Sequence, residues 1–282
     1  MNEAKAQLDA GNLGGAIEAA IQAVKAKPTD AQARTFLFEL SLFAGDWDRV
    51  ERQLEAIGHQ DVNAMIGAKI YQQCVEAERK RARFFSEGLK PEFLSTPEDH
   101  VYGLLTANNR VREGNVAEAR EILDKVEELR PAVACRVNGA EKQDLRDYND
   151  LTSCILEVFI KDSYVWVPFE DIVKIEFSEP QSLRDLFWLQ AQLETSNGTN
   201  GEVFIPTLYA GSWRHDDDQV RLGRMTDWRD VGSELYIGEG QKLFFIDGED
   251  RAILEVSSIE IAEIEEDAGG AEEREATAAE SA

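Results

Sequence analysis

One turn design recurs three times in the first half of this chain and decides what that half can fold into. Gly11-Asn12-Leu13 is followed by Ala16, Ala20, Ala23 and Pro28. Gly45-Asp46-Trp47 is followed by Val50, Leu54 and Ile57, and Gly114-Asn115-Val116 by Ala119, Leu123, Val126 and Pro131. Apolar residues thus stand at +5, +9 and +12 from each glycine, with a proline at +17 in the first and third copies and Val62 there in the second. The first two glycines are 34 residues apart, the tetratricopeptide period. The third follows 69 residues later, which leaves room for a degenerate copy between. A glycine can take the positive φ of a tight turn between antiparallel helices, and a proline stops the second helix. One helical pair cannot bury its apolar face alone, so neighbours stack into a curved array with a concave groove. From the N-terminus to about residue 130 the apolar period is helical. Residues 64–85 read as one long helix, broken afterwards by Gly88, Pro91 and Pro97. Lys80-Arg81-Ala82-Arg83 on that helix is the most basic run of the chain. It reads as a solvated helix face or, more sharply, as a docking patch for an acidic partner.

From Leu151 the apolar period changes to two, and aromatic and β-branched residues rise. Strands are expected at residues 154–160, 164–169, 172–177, 188–194, 203–209, 242–246 and 252–261. Asn197-Gly198, Asn200-Gly201 and Asp247-Gly248 supply turns. The expected fold class is multidomain, α then α+β. A tetratricopeptide-like helical array covers 1–131, a polar connection 132–150, a mainly antiparallel α+β domain 151–262, and an acidic tail 263–282. The tail holds eight acids and one Arg, with too little apolar surface to offset its ordering entropy, so it is expected to be disordered.

Charge narrows the function. The chain has 282 residues, and its 55 Asp and Glu against 30 Lys and Arg give a net charge of −25. That field repels phosphate backbones and anionic lipid, which argues against nucleic-acid or membrane-surface binding. No apolar run is long enough for a transmembrane helix, and the first residues show no basic region followed by an apolar one, so a cytoplasmic protein is expected. Cys74, Cys135 and Cys154 are odd in number and far apart, which excludes a disulfide scaffold and any Cys-x-x-Cys motif.

No nucleotide-binding, nucleophile-elbow or zinc-protease motif is present. His215-Asp216-Asp217-Asp218 is the best metal candidate, because hard cations want several oxygens. Adjacent residues rarely converge on one ion, and a solvated loop is the better account. His59 and His100 have no partner at informative spacing and read as structural. Trp166, Trp188, Trp213 and Trp228 read as core or inter-domain packing, with a partner interface as the alternative.

Several segments, in order, resemble one family. Tyr164-Val165-Trp166-Val167-Pro168-Phe169 is similar to the Tyr/Trp-Val-Pro-Phe signature of the ImpE family, also called TagJ or SciE-type. Residues 183–188, with Arg184, Asp185 and Trp188, resemble its Leu-Arg-Asp-Leu-Val-Trp segment. Residues 205–212, with Pro206, Tyr209 and Gly211, resemble its Ile-Pro-Thr-Arg-Tyr-Pro-Gly-Ser, departing at Leu208 and Ala210. Thr226-Asp227-Trp228 falls where the family has Thr-Glu-Trp, and the N-terminal repeat also matches. The resemblance implies a cytoplasmic, non-enzymatic accessory protein of the type VI secretion system, with no cofactor, metal or catalytic residue. It implies binding to the small contractile-sheath subunit, TssB, and a link to the ATPase ClpV, which recycles contracted sheath. The motif residues are expected to be structural. For partner binding the candidates are Phe36, Phe38, Phe43 and Trp47, with Arg79, Arg81 and Arg83 beside them. Phe36 and Phe43 are seven apart, hence on one helix face, and favour the core. Two other readings stay open: a general tetratricopeptide scaffold for a different partner, and a hydrolase or metal enzyme using His215 and Asp216–Asp218.

Overall fold

The computed structural model describes residues 1–261; the acidic tail expected over 263–282 lies outside them. Helices α1 (Asn2–Asp9), α2 (Leu13–Ala26), α3 (Ala31–Phe43) and α4 (Trp47–Gly58) form two antiparallel pairs. The long helix α5 (Val62–Glu87) follows, then a short strand β1 (Glu92–Phe93) and a third pair, α6 (Asp99–Arg112) and α7 (Val116–Leu129). Gly11, Gly45 and Gly114 sit in the three turns with φ of +77°, +64° and +81°. The +5 residues Ala16, Val50 and Ala119 are fully buried. Asn12, Asp30, Asp46 and Asp61 each cap the helix they precede by accepting from a backbone N–H of its first turn. The degenerate repeat expected between Gly45 and Gly114 is absent. Between α4 and α6 that interval holds only the single 26-residue helix α5 and the short strand β1.

The remaining strands are β2 (Cys135–Val137), β3 (Ala140–Lys142), β4 (Leu145–Asp147), β5 (Ile155–Ile160), β6 (Ser163–Pro168), β7 (Ile172–Phe177), β8 (Trp188–Thr195), β9 (Asn200–Pro206), β10 (Thr226–Gly232), β11 (Leu235–Gly240), β12 (Leu243–Ile246), β13 (Glu249–Ala252) and β14 (Ser258–Ile261). A four-residue helix, α8 (Asp218–Arg221), precedes β10. The large sheet runs β1-β6-β5-β9-β8-β7-β14-β2-β3. Its pairs are antiparallel except β1 with β6, where the helical half lends a parallel edge strand. Strands β13-β12-β4 form a small second sheet, and β10-β11 stand as a hairpin.

Alternation divides the large sheet between two cores. Ile155, Phe159, Tyr164, Trp166 and Trp188 point to one side and pack with the helices. Leu156, Val158, Val165, Val167 and Leu189 point to the other and pack with Phe244 and Ile253. The helical half and one sheet face therefore share a single core.

Three expectations need correction. Residues 132–150 are not a plain connection: they hold β2, β3 and β4, and Asn138-Gly139, at φ of +51° and +80°, turn β2 into β3. These strands are three residues long and largely polar, so no period of two develops in the sequence. The strand expected over 252–261 breaks at the 3-10 turn Ile253–Glu255, which sends β13 and β14 to different sheets. Asn200 and Gly201, expected in a turn, begin β9, and the chain turns at Asn197-Gly198 instead. The β10-β11 hairpin was not anticipated. Its turn uses Ser233 and Glu234 at positive φ in place of Asn-Gly, and most of β10 faces solvent.

Candidate functional site

The basic run on α5 does not form one surface. Successive helical residues turn by 100°, so Arg79 and Arg83 share a face and Arg81 points away from it. Arg79 is held by both oxygens of Glu51 on α4, at 2.8 and 3.0 Å, and by Glu76. Arg83 is exposed and pairs with Glu87 one turn on. Arg81 is only 2 % exposed. Its Nε and Nη2 donate to the two oxygens of Glu157 on β5, each at 2.8 Å. Nη2 also donates to the Leu208 carbonyl at 2.8 Å, and Nη1 to Glu78 at 3.1 Å. Arg81 is thus corrected from docking residue to inter-half tie. Phe36, Phe38 and Phe43 are likewise buried core residues and not a contact surface. Trp47 packs on Phe187.

Around Glu157 the sequence motifs converge. Tyr164 donates its hydroxyl to Glu157 at 2.6 Å and accepts from the Trp166 indole N–H at 2.6 Å. Lys242 contacts the second Glu157 oxygen. Trp188 donates to Glu78 at 3.3 Å. Tyr209 donates to Asp147 at 3.0 Å, and the Asp147 carboxylate is 3.9 Å from Lys242. Burial opposes the Glu157 charge, but Arg81 and Lys242 overcome it and hold the carboxyl well below the usual range. At Asp147 burial wins over Lys242 and pushes the carboxyl up to about 6.

Asp147 therefore makes stability depend on pH. With its folded value raised above the ordinary 3.8, the folded state keeps a proton that the unfolded chain has released. That stabilisation is full at low pH and is lost as pH rises through about 6. Asp147→Asn should gain on the parent by about 1 kcal/mol between pH 5 and pH 7.5. Unfolding curves at the two pH values measure it; a difference that stays constant with pH would mean that Asp147 does not titrate there.

Among the other motif residues Arg184 braces the same junction, whereas Phe169 packs in the second core on the far face of the sheet. Arg184 donates to Glu39 on α3 at 2.6 Å and to the Tyr71 hydroxyl on α5 at 2.8 Å. Asp185 accepts from the backbone N–H groups of Gln181 and Ser182, each at 2.9 Å. Phe169, which follows Pro168, packs edge-on against Phe244, and Trp228 lies against Tyr148 and Tyr209. Pro206 ends β9 opposite Trp188, and Gly211, at φ +85°, starts the 3-10 turn Ser212–Arg214.

The acidic run is also engaged. Asp218 accepts from the Leu13 backbone N–H at 2.8 Å and so caps α2 from the other half of the molecule. Asp217 caps α8, and His215 lies 3.2 Å from Asp227. His100 ties α6 to Glu170 at 2.7 Å, while His59 is exposed near Glu55. Among the described residues no cluster of three or more His, Cys, Asp or Glu is arranged to hold a metal ion, and no helix is long and apolar enough to cross a membrane.

Two concavities stand out among the described residues. One is an apolar groove of about 510 Å³ between α4 and α5, lined by Leu54, Gly58, Met65, Ile66, Ala68 and Ile70. Met65 and Ile66 are 54 % and 55 % exposed, with exposed Val62 beside them. The other is a cavity of about 310 Å³ at the junction, between α5, α6, the turn after β9 and the β10-β11 hairpin. Sequence reasoning missed both. The signal for the groove was present in the apolar residues 62, 65, 66 and 70 at helical spacing.

A tetratricopeptide-like array sharing its core with an antiparallel sheet, and offering an apolar groove on a helical face, defines the class of repeat-scaffold proteins. The tetratricopeptide repeat profile matches residues 7–70, and the profile described as ImpE protein matches residues 139–260. The type VI secretion system accessory component TagJ of Pseudomonas aeruginosa is 32% identical over 253 residues, covering 90% of this chain and 89% of that one. A crystal structure of a protein from Vibrio parahaemolyticus superposes with a TM-score of 0.85 at 26% identity, over 92% of this chain and 97% of that one. The chain belongs to the ImpE family, in which the TagJ protein is its relative.

Proposed function

We propose that this chain is a non-enzymatic accessory protein of the type VI secretion system. It binds the small sheath subunit, TssB, and modulates ClpV-dependent disassembly and recycling of contracted sheath in the cytoplasm. Family membership supports the system, and the α4-α5 groove is the observation that carries the binding mode. A repeat array buries each helical pair against the next, and a terminal face needs polar residues to stay soluble. Here the first half of α5 packs on α4 and presents Val62, Met65, Ile66 and Ile70 outward. An amphipathic helix of the sheath subunit would cover those residues in the manner of the next repeat helix.

The test is calorimetric titration with the small sheath subunit from the same locus. Met65→Glu with Ile66→Glu should weaken binding by about thirtyfold or more, since a charge replaces roughly 2 kcal/mol of apolar burial. Its melting temperature should stay close to the parent's, because both side chains are exposed. Binding by the parent that this variant retains would move the contact off the groove. No binding by the folded parent would remove the sheath subunit as partner and favour a general scaffold role.

A further inference from the structure

The mouth of the junction cavity does not match the charge of the rest of this chain. In a protein of net charge −25, Arg112, Arg214 and Arg229 line this cavity, and its two acids, Glu78 and Glu157, are both paired with Arg81. Arg229 pairs with Glu239 at 2.9 Å. Arg112 and Arg214 have no carboxylate within 4.0 Å among the described residues, although most other arginines do. Arg112 donates to the Asn109 side chain at 2.9 Å and lies over Gly88. Arg214 stacks on the Trp213 ring at 4.4 Å. Part of the wall is apolar, Phe85, Val111, Leu151, Val231 and Ile237, with Ser86, Asn149 and Thr152 beside it. Asn108, 5 % exposed, also lines the cavity. Its amide nitrogen is consumed by the Leu104 and Leu151 carbonyls, each at 2.9 Å, and its oxygen accepts no hydrogen bond among the described residues.

We propose that this cavity is a second docking site, beyond the groove of the proposed function, for an acidic peptide segment of a partner protein that carries a large apolar anchor residue. Each requirement of the site selects that chemistry. The guanidiniums call for carboxylates, and Arg112 and Arg214, with no carboxylate of the described residues within 4.0 Å, offer them charge-assisted hydrogen bonds. The walls call for an apolar side chain, and about 310 Å³ is room for an anchor with its neighbours. The Asn108 oxygen calls for a donor, which a peptide N–H supplies and a fatty acid does not. A small inorganic anion would leave the apolar walls uncovered.

The probe is the fluorescein-labelled peptide EDLEFDLE, with KKLKFKLK as control, titrated into the full chain by fluorescence polarisation. Saturable one-to-one binding of the acidic peptide alone is expected. Arg112→Gln with Arg214→Gln should weaken it by about tenfold or more, and the Trp213 emission should shift on saturation in the parent only. Neither arginine joins the buried ionic network, so the melting temperature should hold; Arg214→Gln alone serves if the double variant melts early. Met65→Glu with Ile66→Glu should leave the peptide affinity unchanged. Lack of saturation, equal binding by the glutamine variant, or loss of binding in the groove variant would each overturn the proposal. The sheath-subunit titration reads the groove separately, so either reading can fail without the other.

Discussion

Arg81→Ala is expected to unfold about 3–5 kcal/mol more easily than the parent, a fall in melting temperature on the order of 10 °C. The guanidinium joins α5 to Glu78, to Glu157 on β5 and to the Leu208 carbonyl, and both it and Glu157 are almost wholly buried. Removing it leaves Glu157 facing only Lys242 and Tyr164, with each of its oxygens one hydrogen bond short. Most of the cost is that stranded charge rather than the lost contact. Two companions make the experiment decisive. Arg83→Ala, two positions along the same helix but on its solvent-exposed side, should change stability by no more than about 0.5 kcal/mol, since its pair with Glu87 is solvent-exposed. Arg81→Met with Glu157→Gln should recover part of the loss, because it removes the unmatched charge along with its partner. Denaturant unfolding reads all three. A loss below about 1 kcal/mol for Arg81→Ala would show that this ionic network adds little to what holds the two halves together.

What the sequence disclosed and what it withheld can be traced to these same residues. The repeat turns were legible because glycine at a positive φ and apolar residues at fixed offsets answer a local requirement. The motif segments were legible as a family resemblance, but their purpose was not. Tyr164, Trp166, Trp188 and Tyr209 meet one ionic network only after the fold has brought 164, 188 and 209 beside a helix about 80 to 130 positions earlier. Arg81 shows the limit plainly. In the run 80–83 it looks like its neighbours, and only the helical phase separates it from Arg79 and Arg83. A clue existed on the other strand: Glu157 is an acid between Leu156 and Val158, in a segment otherwise apolar through 155–160. An acid at the centre of a buried strand demands a buried cation, and α5 carried the candidates. The strands at 135–147 and the β10-β11 hairpin were hidden for the opposite reason. They are short or solvated, and their pairing is decided by the sheet and hairpin they join rather than by a period of their own.

The second large effect falls on the repeat turns, where one sequence position has two different surroundings. Gly45 should not tolerate Val: the expected loss is about 3 kcal/mol. Its φ is +64°, which a β-branched residue adopts only with strain. A Cβ there would also run into the Trp213 ring, which the 3-10 turn Ser212–Arg214 holds against this repeat turn. Overpacking of that kind typically costs about 1–3 kcal/mol by itself. Gly114 occupies the same place in the third repeat, at φ +81°, with nothing within 4 Å of a Cβ. Gly114→Val therefore carries the backbone strain without the collision, about 1–2 kcal/mol. The difference between the two variants measures the contact between repeat and sheet half, because the turn geometry cancels. Trp213 should report it directly: its emission should move to longer wavelength in Gly45→Val, where the ring is displaced, and stay in place in Gly114→Val. Equal losses in the two variants, with unchanged Trp213 emission, would mean that the second repeat turn yields freely and that the two halves are joined by the Arg81 network without help from this seam. A larger loss at Gly45 would mean that the repeat array is locked onto the sheet at both its second turn and its long helix, which makes the array and sheet one rigid platform.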